Sequence, residues 1–156
     1  MTETRVGRVA RLLGYAGLAP AVASTALVAA GERAAAAIGA FYPLLILSFL
    51  GGIWWGFGSR EADRRQGALV AVAVVPSLAA LALGAGVVLS GGSPWSLVAI
   101  GVALFLTLPV DRWLTIAGIA PANWMQLRVP LSLGLGLLTI ATGVLLAVKP
   151  TGVVVS

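Results

Sequence analysis

The 156-residue chain contains no cysteine and no histidine. Thiolate chemistry, disulfides, haem ligation by histidine and the usual zinc sites are thereby excluded. So is the base that most often activates a serine nucleophile. Charge is scarce too: 10% of the residues are charged, where a soluble domain carries about 25%. The only carboxylates are Glu3, Glu32, Glu61, Asp63 and Asp111, and no two of them form a close pair across an apolar run. No glycine-rich phosphate motif follows a strand. Little remains from which to build an enzyme, and no catalytic residue, cofactor or metal is expected.

Apolar sequence takes the place of charge. The chain is 60% hydrophobic with a mean hydropathy of +1.04. Residues 12–31, 35–58, 68–90, 95–110 and 129–148 are nearly free of charge. Each is about the length a helix needs to cross a bilayer, roughly 17–25 residues. Transmembrane barrel strands alternate and span only about 9–11 residues, so continuous runs of this length exclude a barrel. The five runs use most of the chain and leave no room for a separate soluble domain. The expected fold is all-α: a polytopic bundle of five transmembrane helices forming one domain over residues 1–156.

The basic residues set an orientation. The N-terminal tail holds Arg5, Arg8 and Arg11, the 59–67 loop holds Arg60, Arg64 and Arg65, and the 111–128 segment holds Arg112 and Arg128. All eight fall on one side of an alternating five-helix path, against Arg33 and Lys149 on the other. Basic residues in short loops stay cytoplasmic. The expectation is a cytoplasmic N-terminus, a periplasmic C-terminus and a multi-pass location in a bacterial inner membrane. The net charge of +5 then points to anionic lipid headgroups on the cytoplasmic face rather than to nucleic acid, because the arginines flank apolar runs.

The N-terminal arginines, the apolar stretch after them and Ala21-Val22-Ala23 also resemble a signal peptide. Gly14, Gly17 and Pro20 weaken that reading, and a retained first helix is expected. Helix 4 is expected to run to about Pro109. The semi-polar stretch 113–127, with Trp113 and Trp124, reads as a loop with an interfacial segment. Ala16–Ala21 echoes Ala117–Ala122, an echo that Ala- and Gly-rich composition suffices to explain.

Two constellations stand out as a ligand or packing site. Ser48, Gly52 and Gly56 recur every four residues, a spacing that lets a second helix approach closely, with Trp54 and Trp55 beside them. They form either a helix contact or a pocket lined by the tryptophans. Asp111 and Arg112 follow helix 4, and Arg128 precedes Pro130. These charges are either interfacial anchors or a headgroup, anion or proton site, since ionisable groups at membrane depth are costly and often functional. Asp111 is expected to pair with Arg112, Arg128 or an arginine of the 59–67 loop.

Several of these residues carry a family resemblance. Leu13–Pro20, Leu47-Ser48-Phe49-Leu50-Gly51-Gly52-Ile53-Trp54-Trp55-Gly56, Asp111-Arg112 and Pro121-Ala122-Asn123-Trp124-Met125-Gln126-Leu127-Arg128-Val129-Pro130-Leu131 resemble successive motifs of the transmembrane-protein-69-like family, a domain of unknown function. The resemblance covers nearly the whole chain and implies a small polytopic protein of proteobacterial inner membranes or mitochondria. In that family His is common where Trp54 stands, and Tyr where Met125 stands. A chain with Trp at that position argues against a universal catalytic or metal role there.

On these grounds the preferred function is a structural, assembly or interaction role through helix packing, with a homo-oligomer or another membrane protein as partner. The alternative is a transporter, a channel or a binder of a lipid- or quinone-type small molecule. A cavity between helices would favour the alternative; a closed bundle with a flat glycine seam would favour the first.

Overall fold

The computed structural model describes residues 6–148, without the side chains of Asp63 and Arg64. Glu3, Arg5 and Lys149, which enter the charge count above, lie outside the described residues. Regular structure among the described residues is all helical: α1 (Arg8–Ala16), α2 (Ala19–Ala29), a 3₁₀ turn (Arg33–Ala35), α3 (Ala36–Gly58), α4 (Asp63–Leu89), α5 (Pro94–Leu106), α6 (Leu108–Ile116) and α7 (Trp124–Val148). They form five columns long and apolar enough to cross a membrane: α1 with α2, the 3₁₀ turn with α3, α4, α5 with α6, and α7.

Two columns are broken, and the chemistry of each break is local. Pro20 has no N–H to offer the carbonyl four residues back, so α1 stops at Ala16 and α2 restarts at Ala19. The Tyr42 hydroxyl of α3 donates to the Gly17 carbonyl at this break. The second break is at Thr107, whose hydroxyl donates back to the Leu104 carbonyl at 2.7 Å. Pro109 then falls in the first turn of α6, where a missing N–H costs nothing. This corrects the expectation that helix 4 ends near Pro109 and that 113–127 is a loop. The helix resumes to Ile116, carries Asp111 within it, and turns through Gly118 at φ 71° before α7 begins at Trp124. Gly17, at φ −62°, is right-handed, so the two echoed segments part at their glycines.

Two helix pairs pack most closely, α3 with α4 and α5 with α7. Glycine permits both. A Cβ on Gly51 would meet the Ala73 carbonyl oxygen, and one on Gly58 would lie 2.9 Å from the Leu69 Cβ. Ser48 and Ser77 share a hydrogen bond across the same seam at 3.1 Å. The expected seam of Ser48, Gly52 and Gly56 is therefore corrected. Ser48 is in the contact, but Gly52 and Gly56 face outward with nothing within 4 Å of an added Cβ. A helix turns by 100° per residue, so Gly51 and Gly52 cannot share a face. Gly51→Ala should destabilise by about 1–3 kcal/mol, since backbone must move. Gly52→Ala should be neutral or gain up to about 1 kcal/mol from helix propensity. Melting of the two variants in detergent checks the contrast.

Hydroxyls tie the first column to the last and to the second. Thr25 and Thr142 share a hydrogen bond at 2.9 Å, and Ser24 donates to the Ala35 carbonyl at 2.8 Å. The ends of the bundle also sort. Val6 and Asn123 meet at one end through two hydrogen bonds, and the Phe57 ring packs edge-on against Trp124 there. At the other end Arg33 donates to the Leu146 carbonyl at 3.5 Å, beside Gly91 and Gly92.

A buried ion pair beside an apolar cavity

α7 places Trp124, Arg128 and Ser132 at steps of four, on one face. The α5–α6 column places Thr107 and Asp111 at the same step on its own facing side, and Trp54 comes from α3. Asp111 is fully buried. Its Oδ1 accepts from the indole N–H groups of Trp54 and Trp124, each at 2.9 Å. Its Oδ2 accepts from Arg128 Nε at 2.7 Å. Arg128 Nη2 donates to the Thr107 hydroxyl at 3.1 Å. Every member is buried.

The expected pairing of Asp111 thus resolves to Arg128. Arg112 is exposed and takes no part. The Asp111–Arg128 pair is buried within the bundle, because continuing α5 into α6 carries the carboxylate inside it. Of the two adjacent tryptophans, Trp54 enters the cluster and Trp55 points outward, half exposed. Glu61 and Arg65, at 3.9 Å, make only a loose surface pair, worth a few tenths of a kcal/mol.

A cavity of about 440 Å³ lies against this cluster, between α1, the α1–α2 break, α3 and α7. Its walls are apolar apart from a few groups, chiefly Arg128, Ser132 and Tyr42. Two side chains of the α7 wall have unspent donors. Ser132 is 1% exposed, and its hydroxyl has no hydrogen-bond partner. Arg128 has five N–H donors, and its Nη1 meets no protein acceptor among the described residues. The cavity opens sideways: Leu13 and Phe49 both line it, yet are 68% and 63% exposed. Trp124 lines it, whereas Trp54 and Trp55 do not, so the pocket lined by that pair is not this cavity.

Sequence reasoning offered Arg128 as one of three candidate partners for Asp111 and singled out Trp54 and Trp124 without joining them to that pair, and it missed Thr107, Ser132 and the cavity. The spacing Trp124–Arg128–Ser132 was the available signal, because it puts an indole, a guanidinium and a hydroxyl on one face of an apolar helix.

Fold and site together define an apolar five-helix bundle with a sealed ion-pair cluster that walls one side of a laterally open cavity. The family model described as "Protein of unknown function (DUF3429)" matches residues 6–144, and the chain belongs to that family. No curated protein and no solved structure matches it.

Proposed function

We propose that this is a multi-pass inner-membrane protein that binds an amphipathic, lipid-soluble molecule in the cavity between α1, α3 and α7. The observation that carries this reading is the cavity itself. Its volume falls within the roughly 300–1,000 Å³ of small-molecule sites, and such sites combine apolar walls with a few placed polar groups. The binder reading, second on sequence grounds, thereby becomes the first. A transporter, channel or quinone-type carrier is a finer form of it.

The location rests on supporting points. Large apolar side chains such as Leu45, Leu81 and Leu89 lie exposed on the outer surface, where lipid rather than water is the matching solvent. The resemblance to transmembrane-protein-69-like chains fits an inner membrane, proteobacterial or mitochondrial. Under the arginine asymmetry, the Val6–Asn123 end is cytoplasmic and attracts anionic lipid. A reporter in the 59–62 turn should then read cytoplasmic and one in the 90–93 turn periplasmic; the same side for both would reject five crossings.

An assembly role through helix packing has one observation in its favour. Gly52 and Gly56 lie on an outward face beside the half-exposed Trp55, open to a helix outside this chain.

Native mass spectrometry of the purified protein tests the binder. A small molecule should remain bound, and Ile46→Trp, which fills the cavity from α3, should lose it while the melting temperature changes little. Equal adducts on both proteins would place binding on the outer surface and reject the cavity.

A further inference from the structure

Resting on the cavity reading, we infer that the bound molecule has an uncharged head bearing a carbonyl-type oxygen, which accepts from Arg128 and Ser132, and an apolar tail that leaves between α1 and α3.

The charge count of the cavity decides the head. Arg128 is the cation in its wall. That charge is already matched: Asp111 Oδ2 lies 2.7 Å from its Nε, and both residues are buried. The pair is neutral as a unit. An anionic head would add a third charge to an apolar space with no cation left to balance it, and charges buried without a partner are strongly disfavoured. A cationic head would meet the guanidinium first, because the Asp111 carboxylate is screened behind two indoles and Arg128.

The hydrogen-bond inventory decides the rest. The wall offers donors with no acceptor: Arg128 Nη1 and the Ser132 hydroxyl, one helical turn apart on α7. Ser132 does not spend its hydroxyl on the carbonyl four residues back, as Thr139 and Thr142 do. A serine with no partner, 1% exposed, costs stability unless something accepts from it. The Tyr42 hydroxyl is committed to Gly17. Two donors set one turn apart on one helix face, both in the cavity lining, suit a single oxygen acceptor with two lone pairs. A carbonyl presents that group without charge. Elsewhere the lining is apolar, and the exposed Leu13 and Phe49 mark where a chain can pass out to the lipid.

Two classes of membrane molecule carry such a head: substituted quinones, and neutral esters such as monoacylglycerols. The test uses the full chain in phosphatidylcholine nanodiscs and four probes of matched chain length: a decyl-benzoquinone, a decanoyl monoglyceride, decanoate and decylbenzene. Binding is read by titration calorimetry. The quinone or the monoglyceride should bind on the order of tenfold tighter than decylbenzene, the worth of about one hydrogen bond to a charged donor. Whichever of the two binds tighter identifies the source. Ser132→Ala, which removes an unpaired hydroxyl and keeps the fold, should erase much of that preference and leave decylbenzene unchanged. Decanoate binding tightest would overturn the neutral head. Equal binding of all four would overturn the head chemistry and leave the cavity reading standing. Binding by none, decylbenzene included, would overturn both.

Discussion

Arg128→Met should be among the most damaging single substitutions in the chain, lowering stability by about 3–5 kcal/mol. The reason is the partner it leaves behind. Asp111 is fully buried and would keep two indole donors but no counter-charge. A fully desolvated pair is expensive to make, and far more expensive to break from one side. Asp111→Asn should also destabilise, because it strands the guanidinium. The double variant Asp111→Asn/Arg128→Met should be more stable than Arg128→Met alone, since the amide oxygen can still serve both indoles and no charge remains. That coupling is what a double-mutant cycle isolates. Arg112→Met, one residue from the carboxylate in sequence but exposed, should change stability by no more than about 0.5 kcal/mol. Reversible unfolding in mixed detergent measures all four. Independent, additive effects at 111 and 128 would mean that the pair does not exist in the folded protein.

Gly101→Leu should be comparably severe, by a different route. The α5–α7 crossing is set by glycines on both helices. A Cβ on Gly101 would lie 2.7 Å from the Gly136 carbonyl oxygen and 2.5 Å from Ile140 Cγ1. One on Gly136 would run into the Phe105 ring, and one on Gly143 would lie 2.7 Å from the Pro94 carbonyl oxygen. Backbone oxygen cannot swing aside as a side chain can, so the two helices would have to part. Close approach of this kind is the main source of cohesion between helices in an apolar solvent, where burial of hydrophobic surface contributes little. Overpacking costs typically about 1–3 kcal/mol, and a leucine against backbone belongs at the top of that range. The variant should melt far lower or fail to accumulate. Gly86→Leu, on an exposed face with open space around it, should accumulate normally. Similar loss in both variants would mean that glycine content, rather than this crossing, governs stability.

The five columns were legible because lipid-length apolar runs are the strongest pattern a sequence can carry. Their breaks were not. Pro20 and Pro109 are both visible, but whether a proline ends a helix or opens the next turn depends on where its missing N–H would have pointed. At Thr107 the side chain takes over the backbone's role, and the column continues. Rotation was illegible for a related reason. α3 is apolar on every side, so no amphipathic stripe distinguishes Gly51 from Gly52 or Trp54 from Trp55, and the four-residue spacing of small residues points to the outward glycines as readily as to the inward one. Asp111 and Arg128 were conspicuous as charges at the edge of apolar sequence, yet 17 residues of chain separate them. Only the continuation of helix to Ile116 and the start of α7 at Trp124 bring them face to face. Ser132 passed unnoticed because serine inside an apolar helix usually bonds its own backbone. Its unspent hydroxyl is a property of the cavity, and the cavity is a property of the packing of α1, α3 and α7 together.

The absence of cysteine supplies the most direct test of the central claim, that a ligand-accessible cavity lies beside the ion pair and opens to the lipid. A single Ser132→Cys substitution introduces one thiol on a background with no other. In native membranes it should react with an uncharged, lipid-soluble maleimide and resist a charged, membrane-impermeant thiol reagent. Thr139→Cys, equally buried at 1% exposure but outside the cavity lining, should resist both. Labelling of Ser132→Cys alone by the lipid-soluble reagent is the predicted result; equal resistance at both positions, or equal labelling, would contradict it.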